Sequence, residues 1–120
     1  MNNFKKYYFI FIVFICSVLQ AQLETVNWYF GQYMGLRFEG NQAIPVEGGQ
    51  LYTGEGCASI SDKQGNLQFY TDGTTVYNRN HQVMLNGTNL KGNSSSTQSA
   101  IVVPYPENDK KYIIIAYQHI

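Results

Sequence analysis

The chain has 120 residues, with eight basic and eight acidic side chains and a formal net charge of zero at pH 7. Nucleic-acid binding needs clustered Lys and Arg to neutralise phosphates, and docking on anionic membranes needs a basic stripe; the sequence contains neither. Ten Tyr, seven Phe and one Trp exclude a disordered tail. The composition therefore predicts a folded domain and excludes nucleic acid as a partner.

The N-terminus has the three parts of a secretory signal peptide. Lys5 and Lys6 precede an almost wholly apolar stretch over residues 7–19, and the small residue Ala21 comes just before polar character returns at Glu24. This stretch is shorter than the roughly 20 apolar residues that a bilayer-spanning helix needs. The sequence therefore predicts a signal peptide at 1–21, cleavage after Ala21, and a protein that is secreted or held on the outer cell surface.

Two cysteines bear on processing and redox state. Cys16 raises the possibility of acylation as a lipoprotein, but two bulky residues precede it where that processing wants a small one, so we interpret Cys16 as lost with the signal. Cys57 is then the only cysteine of the exported part, which excludes an intrachain disulfide and favours burial as a small apolar residue. Since only His81 and His119 could join Cys57 around zinc, no metal or cofactor is predicted.

The first half of the exported chain alternates short apolar and aromatic runs with Gly, Asp and Asn. Such punctuation is typical of antiparallel strands joined by tight turns. Residues 62–66 and Asp72-Gly73 are predicted turns, and residues 39–50 are predicted to be a loop. The predicted strands are residues 27–30, 34–38, 57–61, 67–71 and 74–77.

The second half begins with a long polar segment, residues 78–98, and then changes character. Residues 100–103 and 113–116 are continuously apolar, and residues 104–111 between them are a predicted loop. Strands that are apolar at every position are typical of sheets covered on both faces. No stretch has a 3.6-residue apolar period with caps, so we expect little helix.

These elements predict an all-β fold of antiparallel meanders. Two groups of strands at a spacing of roughly 40–50 residues match the blades of a β-propeller, in which each blade packs between two others. A β-sandwich with about seven short strands is the alternative. The sequence stops directly after a strand, so we expect residues 22–120 to be a partial propeller-like domain, one or two blades long and incomplete at the C-terminus.

Several polar residues are of types that serve as catalytic or metal-binding groups. Glu55, Asp62 and Asp72 could form a carboxylate pair or a calcium site, but no calcium-loop motif surrounds them and the two aspartates suit turns. His81 lacks a recognisable nucleophile and orienting acid, and the serines at 94–96 lack a nucleophile-elbow motif. We therefore predict no catalytic residue, and a protein that is not an enzyme.

Aromatic and amide side chains offer a further set of sites. Asn86 and Asn93 each begin a pattern for N-glycosylation. Six aromatic side chains could stack on sugar rings, although core packing is the more common role of such residues in β-proteins. They are Trp28, Tyr29, Tyr33, Tyr52, Tyr70 and Tyr77.

The stretch from Glu55 to Pro104 carries a family resemblance. The run EGCASISDKQGNLQFYTDGTTVYNRNHQVMLNG, followed by GNSSSTQSAIVVP, resembles the N-terminal β-propeller-like region of large surface proteins of gliding bacteria, and NWYFGQYMGLRF resembles its opening. Tyr77 stands where that pattern has Trp, and Leu85 where it has Pro. The resemblance implies adhesive modules further along the polypeptide, and a gliding-motility-associated C-terminal domain that engages the type IX secretion machinery.

The resulting functional hypothesis is a non-enzymatic adhesion or gliding-associated binding module. Its partners would be an extracellular glycan or protein, bound through loops of which residues 78–98 form the longest. Later domains of the same polypeptide would be further partners. The alternative is the N-terminal part of a secreted β-propeller hydrolase that acts on polysaccharide, with its paired carboxylates beyond Ile120.

Overall fold

A computed structural model describes residues 23–117; the predicted signal peptide, Cys16 and His119 lie outside them. The described chain is all-β, as predicted: a 3-10 turn at Leu23–Thr25 precedes eight strands, and these residues contain no α-helix. The strands are β1 (Asn27–Phe30), β2 (Met34–Glu39), β3 (Gln42–Val46), β4 (Ala58–Ser61), β5 (Leu67–Thr71), β6 (Val76–Asn78), β7 (Ala100–Tyr105) and β8 (Asn108–Ala116).

The strands form three small antiparallel sheets in chain order. The first sheet has the order β1-β2-β3, the middle sheet has the order β4-β5-β6, and the hairpin ribbon consists of β7 and β8. Each strand pairs with the one that follows it within its sheet. The described architecture is therefore a series of meanders without crossover connections.

Aspartates close the two turns of the middle sheet, as the sequence predicts. The carboxylate of Asp62 accepts the backbone N–H groups of Gln64 and Asn66 at 2.9 and 2.8 Å. The Asp72 carboxylate accepts the N–H groups of Thr74 and Thr75, both at 2.8 Å. These side chains take the place of missing backbone partners at the turns, which explains Asp at both positions.

Two predicted loops prove to contain strands. Residues 42–46 form β3, an edge strand of the first sheet. The sequence pattern did not predict it because its side chains are exposed and do not alternate between apolar and polar. Pro45 is tolerated here because an edge strand need not donate every backbone hydrogen bond. Residues 104–105 and 108–111 extend β7 and β8, so the ribbon turns at residues 106–107, where Glu107 has a φ of 62°. Charged residues conceal this extension because they lie on exposed positions of the ribbon.

Alternate residues of β5 join two separate apolar cores. Tyr70 packs with Tyr29 and Leu51 in the first core cluster. Phe69 points to the opposite face and packs with Ile60 and Val76 in the second core cluster. The middle sheet is therefore covered on both faces, by the first sheet on one side and by the hairpin ribbon on the other.

The hairpin ribbon is covered on one face only. Val102, Tyr112 and Ile114 face the second core cluster. The opposite face, which we call the outer ribbon face, exposes two cross-strand pairs, Ile101 with Ile115 and Val103 with Ile113. Within residues 23–117 these strands are covered on one face only, because the middle sheet offers the ribbon a single surface to pack against.

Polar side chains join the first sheet to the middle sheet. The buried amide of Asn27 donates to Ser61 Oγ at 2.8 Å and to the carbonyl of Gly65 at 3.0 Å. The Ser59 hydroxyl donates to the backbone oxygen of Asn27 at 2.8 Å, and Arg37 Nη1 donates to the Gly65 carbonyl at 2.9 Å. This network satisfies polar groups that burial would otherwise leave unpaired, and it fixes β1 against β4.

Candidate binding groove

The acidic residues singled out in the sequence do not converge. Asp62 and Asp72 lie at opposite ends of β5, each occupied with its own turn, and Glu55 is exposed in the loop before β4. Desolvation acts to raise the pKa of Asp62, but hydrogen bonds from Asn66 and Gln64 and the charge of Arg79 outweigh it and lower that pKa. Among the described residues, no group of three or more His, Cys, Asp and Glu side chains is arranged to hold a metal ion.

His81 and the serine run belong to different hydrogen-bond networks. The ring nitrogen Nδ1 of His81 lies 3.0 Å from the Tyr70 hydroxyl. Ser94 accepts a short hydrogen bond from the Thr53 hydroxyl through its backbone oxygen, and the Ser96 carbonyl accepts the N–H of Gly56 at 2.9 Å. These contacts hold the 78–98 segment against the sheets and do not pair a base with a nucleophile.

The six aromatic candidates divide into an internal set and an exposed set. The Tyr29 and Tyr77 rings stack on the two sides of the buried Tyr70 ring, with centroids 4.5 and 5.4 Å away, so these three rings serve packing. Trp28 is half exposed and meets Phe38 edge-on. The remaining two, Tyr33 and Tyr52, form an aromatic pair with more than half of each side chain exposed.

Cys57 is a half-buried free thiol. Its Sγ lies 3.2 Å from the backbone oxygen of Tyr29 and donates to it. Burial and, secondarily, the negative charge of Asp72 raise the pKa of the thiol. A thiol in this setting stays protonated at neutral pH and contributes packing.

A groove of about 540 Å³ lies between the segment that follows β6 and the inner face of β8. We call it the loop–hairpin groove. Phe69 and Val76 of the middle sheet contribute to its lining, and Tyr112 and Ile114 of β8 contribute from the ribbon. Since these side chains also belong to the second core cluster, the groove is an open continuation of that core.

The segment after β6 supplies the other wall through a chain of tight turns. The carbonyl of Val76 accepts the N–H of Met84 at 2.9 Å, and the N–H of Val76 donates to the carbonyl of Gly87 at 2.7 Å. These bonds tie the segment to the exposed edge of the middle sheet and bring Leu85 and Leu90 to the groove. Leu85 is 93 % exposed and, with its exposed neighbour Met84, continues the apolar lining of the groove out to its rim.

Two cationic side chains, Arg79 and Lys110, border the groove, and its lining contains no carboxylate. Arg79 Nη2 donates to Gln68 Oε1 at 2.8 Å, and Lys110 projects from β8. Within residues 23–117 the ion pairs closer than 4.0 Å are Arg37–Glu39 and Lys63–Asp109, so neither groove cation takes part in one. The groove therefore combines an apolar lining with positive charge at its border.

A second cavity of about 440 Å³ lies on the other side of the same cations. It shares Arg79, Lys110 and Tyr112 with the loop–hairpin groove and adds three carboxylates and one cation, those of Glu24, Asp62, Asp109 and Lys63. Acidic groups thus face the cations from one side, and the apolar groove faces them from the other. A ligand in the loop–hairpin groove meets cations alone.

Sequence reasoning found the loop side of this site and missed the strand side. The segment 78–98 is the predicted binding loop, and it supplies Arg79, Leu85 and Leu90. Lys110 lay in a predicted loop, and Tyr112 was not singled out. Because β8 begins at Asn108 and side chains alternate along a strand, the side chains at 110, 112 and 114 share one face, opposite the loop.

Comparison of the chain with protein-family models, with curated proteins and with solved structures finds no match. Among residues 23–117, no helix is long and apolar enough to cross a membrane. The groove geometry and the sequence are therefore the basis for assigning a function.

Proposed function

We propose that this protein is a non-enzymatic binding module of a secreted or cell-surface protein, serving adhesion or a gliding-associated surface function. The observation that carries the proposal is the loop–hairpin groove, whose apolar lining continues onto the exposed Met84 and Leu85 and is the kind of contiguous surface that a binding partner covers. The partner is an extracellular glycan or protein. The N-terminal sequence features described above support export.

The order of the sheets favours a propeller-like setting for this module. Three small sheets follow one another in the chain, and the middle sheet has an apolar core on each face. Blades of a propeller pack in this serial way. We interpret the sheets as successive blade-like units, with the segment 78–98 at their rim.

The test is a glycan and extracellular-protein array probed with the full chain, the Leu85→Asp variant and the Tyr52→Ser variant. Leu85 lines the groove and is exposed, so its replacement leaves folding intact and abolishes binding there. Tyr52 is 73 % exposed and outside the groove, so its replacement leaves binding unchanged. Binding lost only in Tyr52→Ser would move the site to the exposed aromatic pair, and the absence of any bound ligand would refute the proposal.

A further inference from the structure

If the loop–hairpin groove is the binding site proposed above, the chemistry of its lining distinguishes between the two proposed classes of ligand, glycan and protein. The apolar part of its lining is mainly aliphatic, with Val76, Met84, Leu85, Leu90 and Ile114 beside the rings of Phe69 and Tyr112, and the amide side chains of Gln68, Asn78 and Asn86 also line it. Sugar rings stack on flat aromatic faces, whereas aliphatic and thioether side chains adapt to the irregular shape of a peptide's apolar side chain. The lining therefore favours a peptide over a glycan.

The charge of the groove specifies what flanks that apolar side chain. Arg79 and Lys110 are the charged groups of the lining, and both are positive. The Asp62 carboxylate neutralises part of the Arg79 charge from the second cavity, and Asp109 is already paired with Lys63 at 2.8 Å. Lys110 takes part in no ion pair among residues 23–117, and a carboxylate of the ligand would give it a partner.

We propose that the loop–hairpin groove binds an acidic peptide segment. One large apolar side chain of that segment enters between Leu90 and Ile114, and a neighbouring Asp or Glu pairs with Lys110 and Arg79. Electrostatic complementarity of this kind gives the interaction its specificity, and apolar burial gives it most of its affinity.

Three synthetic peptides test the proposal by fluorescence anisotropy with the full chain. They contain a Phe between two Glu residues, the same Phe between two Gln residues, and a Gly between two Glu residues. We expect the first to bind, the second to bind about tenfold more weakly because a charge-assisted hydrogen bond is lost, and the third not to bind measurably. Equal affinity for the Glu and Gln peptides would overturn the proposal.

Neighbouring lysines of β8 provide a matched pair of variants. Lys110 faces the groove, whereas Lys111 lies on the opposite face, 5.9 Å from the Tyr105 ring centroid. Lys110→Gln is expected to lower the affinity for the peptide with two Glu residues about tenfold and to reduce the dependence of that affinity on salt concentration. Lys111→Gln should leave the affinity and its salt dependence unchanged. Equal effects of the two substitutions would show that overall charge, and not the groove, attracts the peptide.

Oligogalacturonate, an acidic glycan, is the competing probe. Binding of oligogalacturonate without binding of any peptide would overturn the peptide assignment and leave the groove as a binding site. An array ligand that is lost in Leu85→Asp but insensitive to Lys110→Gln would likewise overturn this inference while supporting the proposed function. The two hypotheses therefore fail on different results.

Discussion

The Tyr70 hydroxyl is fully buried and lies at the junction of three segments. It accepts the backbone N–H of Gln50 at 3.1 Å and lies 3.0 Å from His81 Nδ1. Since the phenol oxygen accepts from Gln50, its own proton is free to donate to Nδ1, and all three groups are satisfied in this arrangement. One side chain of the middle sheet thereby holds the loop before β4 and the loop after β6.

Replacing Tyr70 with Phe should cost more stability than the equivalent change at a neighbouring ring. Tyr70→Phe leaves the Gln50 N–H and the His81 nitrogen without their partner, which costs about 1–3 kcal/mol of unfolding free energy. Tyr77→Phe is the control, because its half-buried ring stacks similarly but its hydroxyl makes no hydrogen bond to the described residues. Urea denaturation measures both; equal losses would show that the Tyr70 hydroxyl contributes nothing specific.

Alkaline pH should weaken the fold through the same residue. Burial, reinforced by the neighbouring Tyr29 and Tyr77, raises the pKa of Tyr70 from 10.0 to about 12 despite the opposing hydrogen bond from Gln50. Because the folded pKa is raised, the contribution of Tyr70 to stability is complete below about pH 10 and is lost as pH rises towards 12.

The measurement is the free energy of unfolding as a function of pH, for the wild-type chain and for Tyr70→Phe. The difference between the two proteins should shrink between pH 10 and pH 12, since only the wild type has a buried phenol to ionise. A difference that stays constant over this range would contradict the assigned pKa.

Single glycines decide how closely the elements approach. At Gly31, in the turn after β1, a Cβ atom would overlap the backbone oxygen of Thr53. Gly54 directly follows Thr53. A Cβ atom at Gly54 would meet no other atom within 4 Å, and its φ is not positive. The first glycine therefore permits the close contact between a turn of the first sheet and the following loop, and the second has no such role.

The two alanine substitutions should differ in sign. Gly31→Ala forces the backbone apart and should destabilise the protein by about 1–3 kcal/mol, as overpacking does. Gly54→Ala should stabilise it by up to about 1 kcal/mol, because alanine restricts the unfolded chain more than glycine does. Thermal unfolding compares them, and destabilisation by Gly54→Ala would show that the contact at Gly31 is not the cause.

Strands whose side chains enter a core were predictable, and the exposed edge strand β3 was not. Residues 67–71 form β5 as predicted, because this strand pairs on both sides and its side chains enter two cores. β3 has one partner strand and almost no buried side chain, so its sequence lacks the apolar alternation that predicts a strand. Pairing with β2 along the backbone, which is independent of side-chain type, determines that element.

The outer ribbon face exposes apolar side chains that the described fold leaves in contact with water. Ile115 is 55 % exposed and Ile101, opposite it, is 44 % exposed. Contiguous apolar surface of this kind promotes association. Replacing both residues with Thr, which retains the preference for strands, should reduce self-association and dye binding with little loss of stability.

Ile114→Thr is the control for that prediction. Ile114 lies on the inner face of the same strand, packed against the second core cluster. Its replacement should lower stability by about 1–3 kcal/mol and leave association unchanged. Light scattering measures self-association, and anilinonaphthalene sulfonate fluorescence measures exposed apolar surface. If neither signal falls in the protein carrying both Ile101→Thr and Ile115→Thr, the outer ribbon face is not the source of the association or of the dye binding.

The N-terminal residue of the exported product tests the predicted signal peptide. Cleavage after Ala21 should give an exported product that begins at Gln22, because a small residue precedes the bond and the apolar stretch is too short to remain as an anchor. N-terminal sequencing of the exported product checks the position. A product that retains Met1 and stays with the cell interior would contradict the predicted signal peptide.

The amino-acid sequence was sufficient for the properties that depend on local order. The spacing of Gly, Asp and Asn between short apolar runs defined an all-β chain, and Asp62 and Asp72 could be assigned to turns because an Asp side chain bonds backbone groups a few residues away. The segment 78–98 stood out as the longest loop because its residues are mostly polar, with no periodic apolar pattern.

Tertiary structure decided everything that depends on residues distant in the chain. Phe69 and Tyr70 are adjacent and similar, yet they join different cores because a strand directs successive side chains to opposite faces. Lys110 becomes a groove residue, and Lys111 does not, through the register of β8. The groove arises where β8 passes the segment after β6, and no local pattern encodes the meeting of these two parts of the chain.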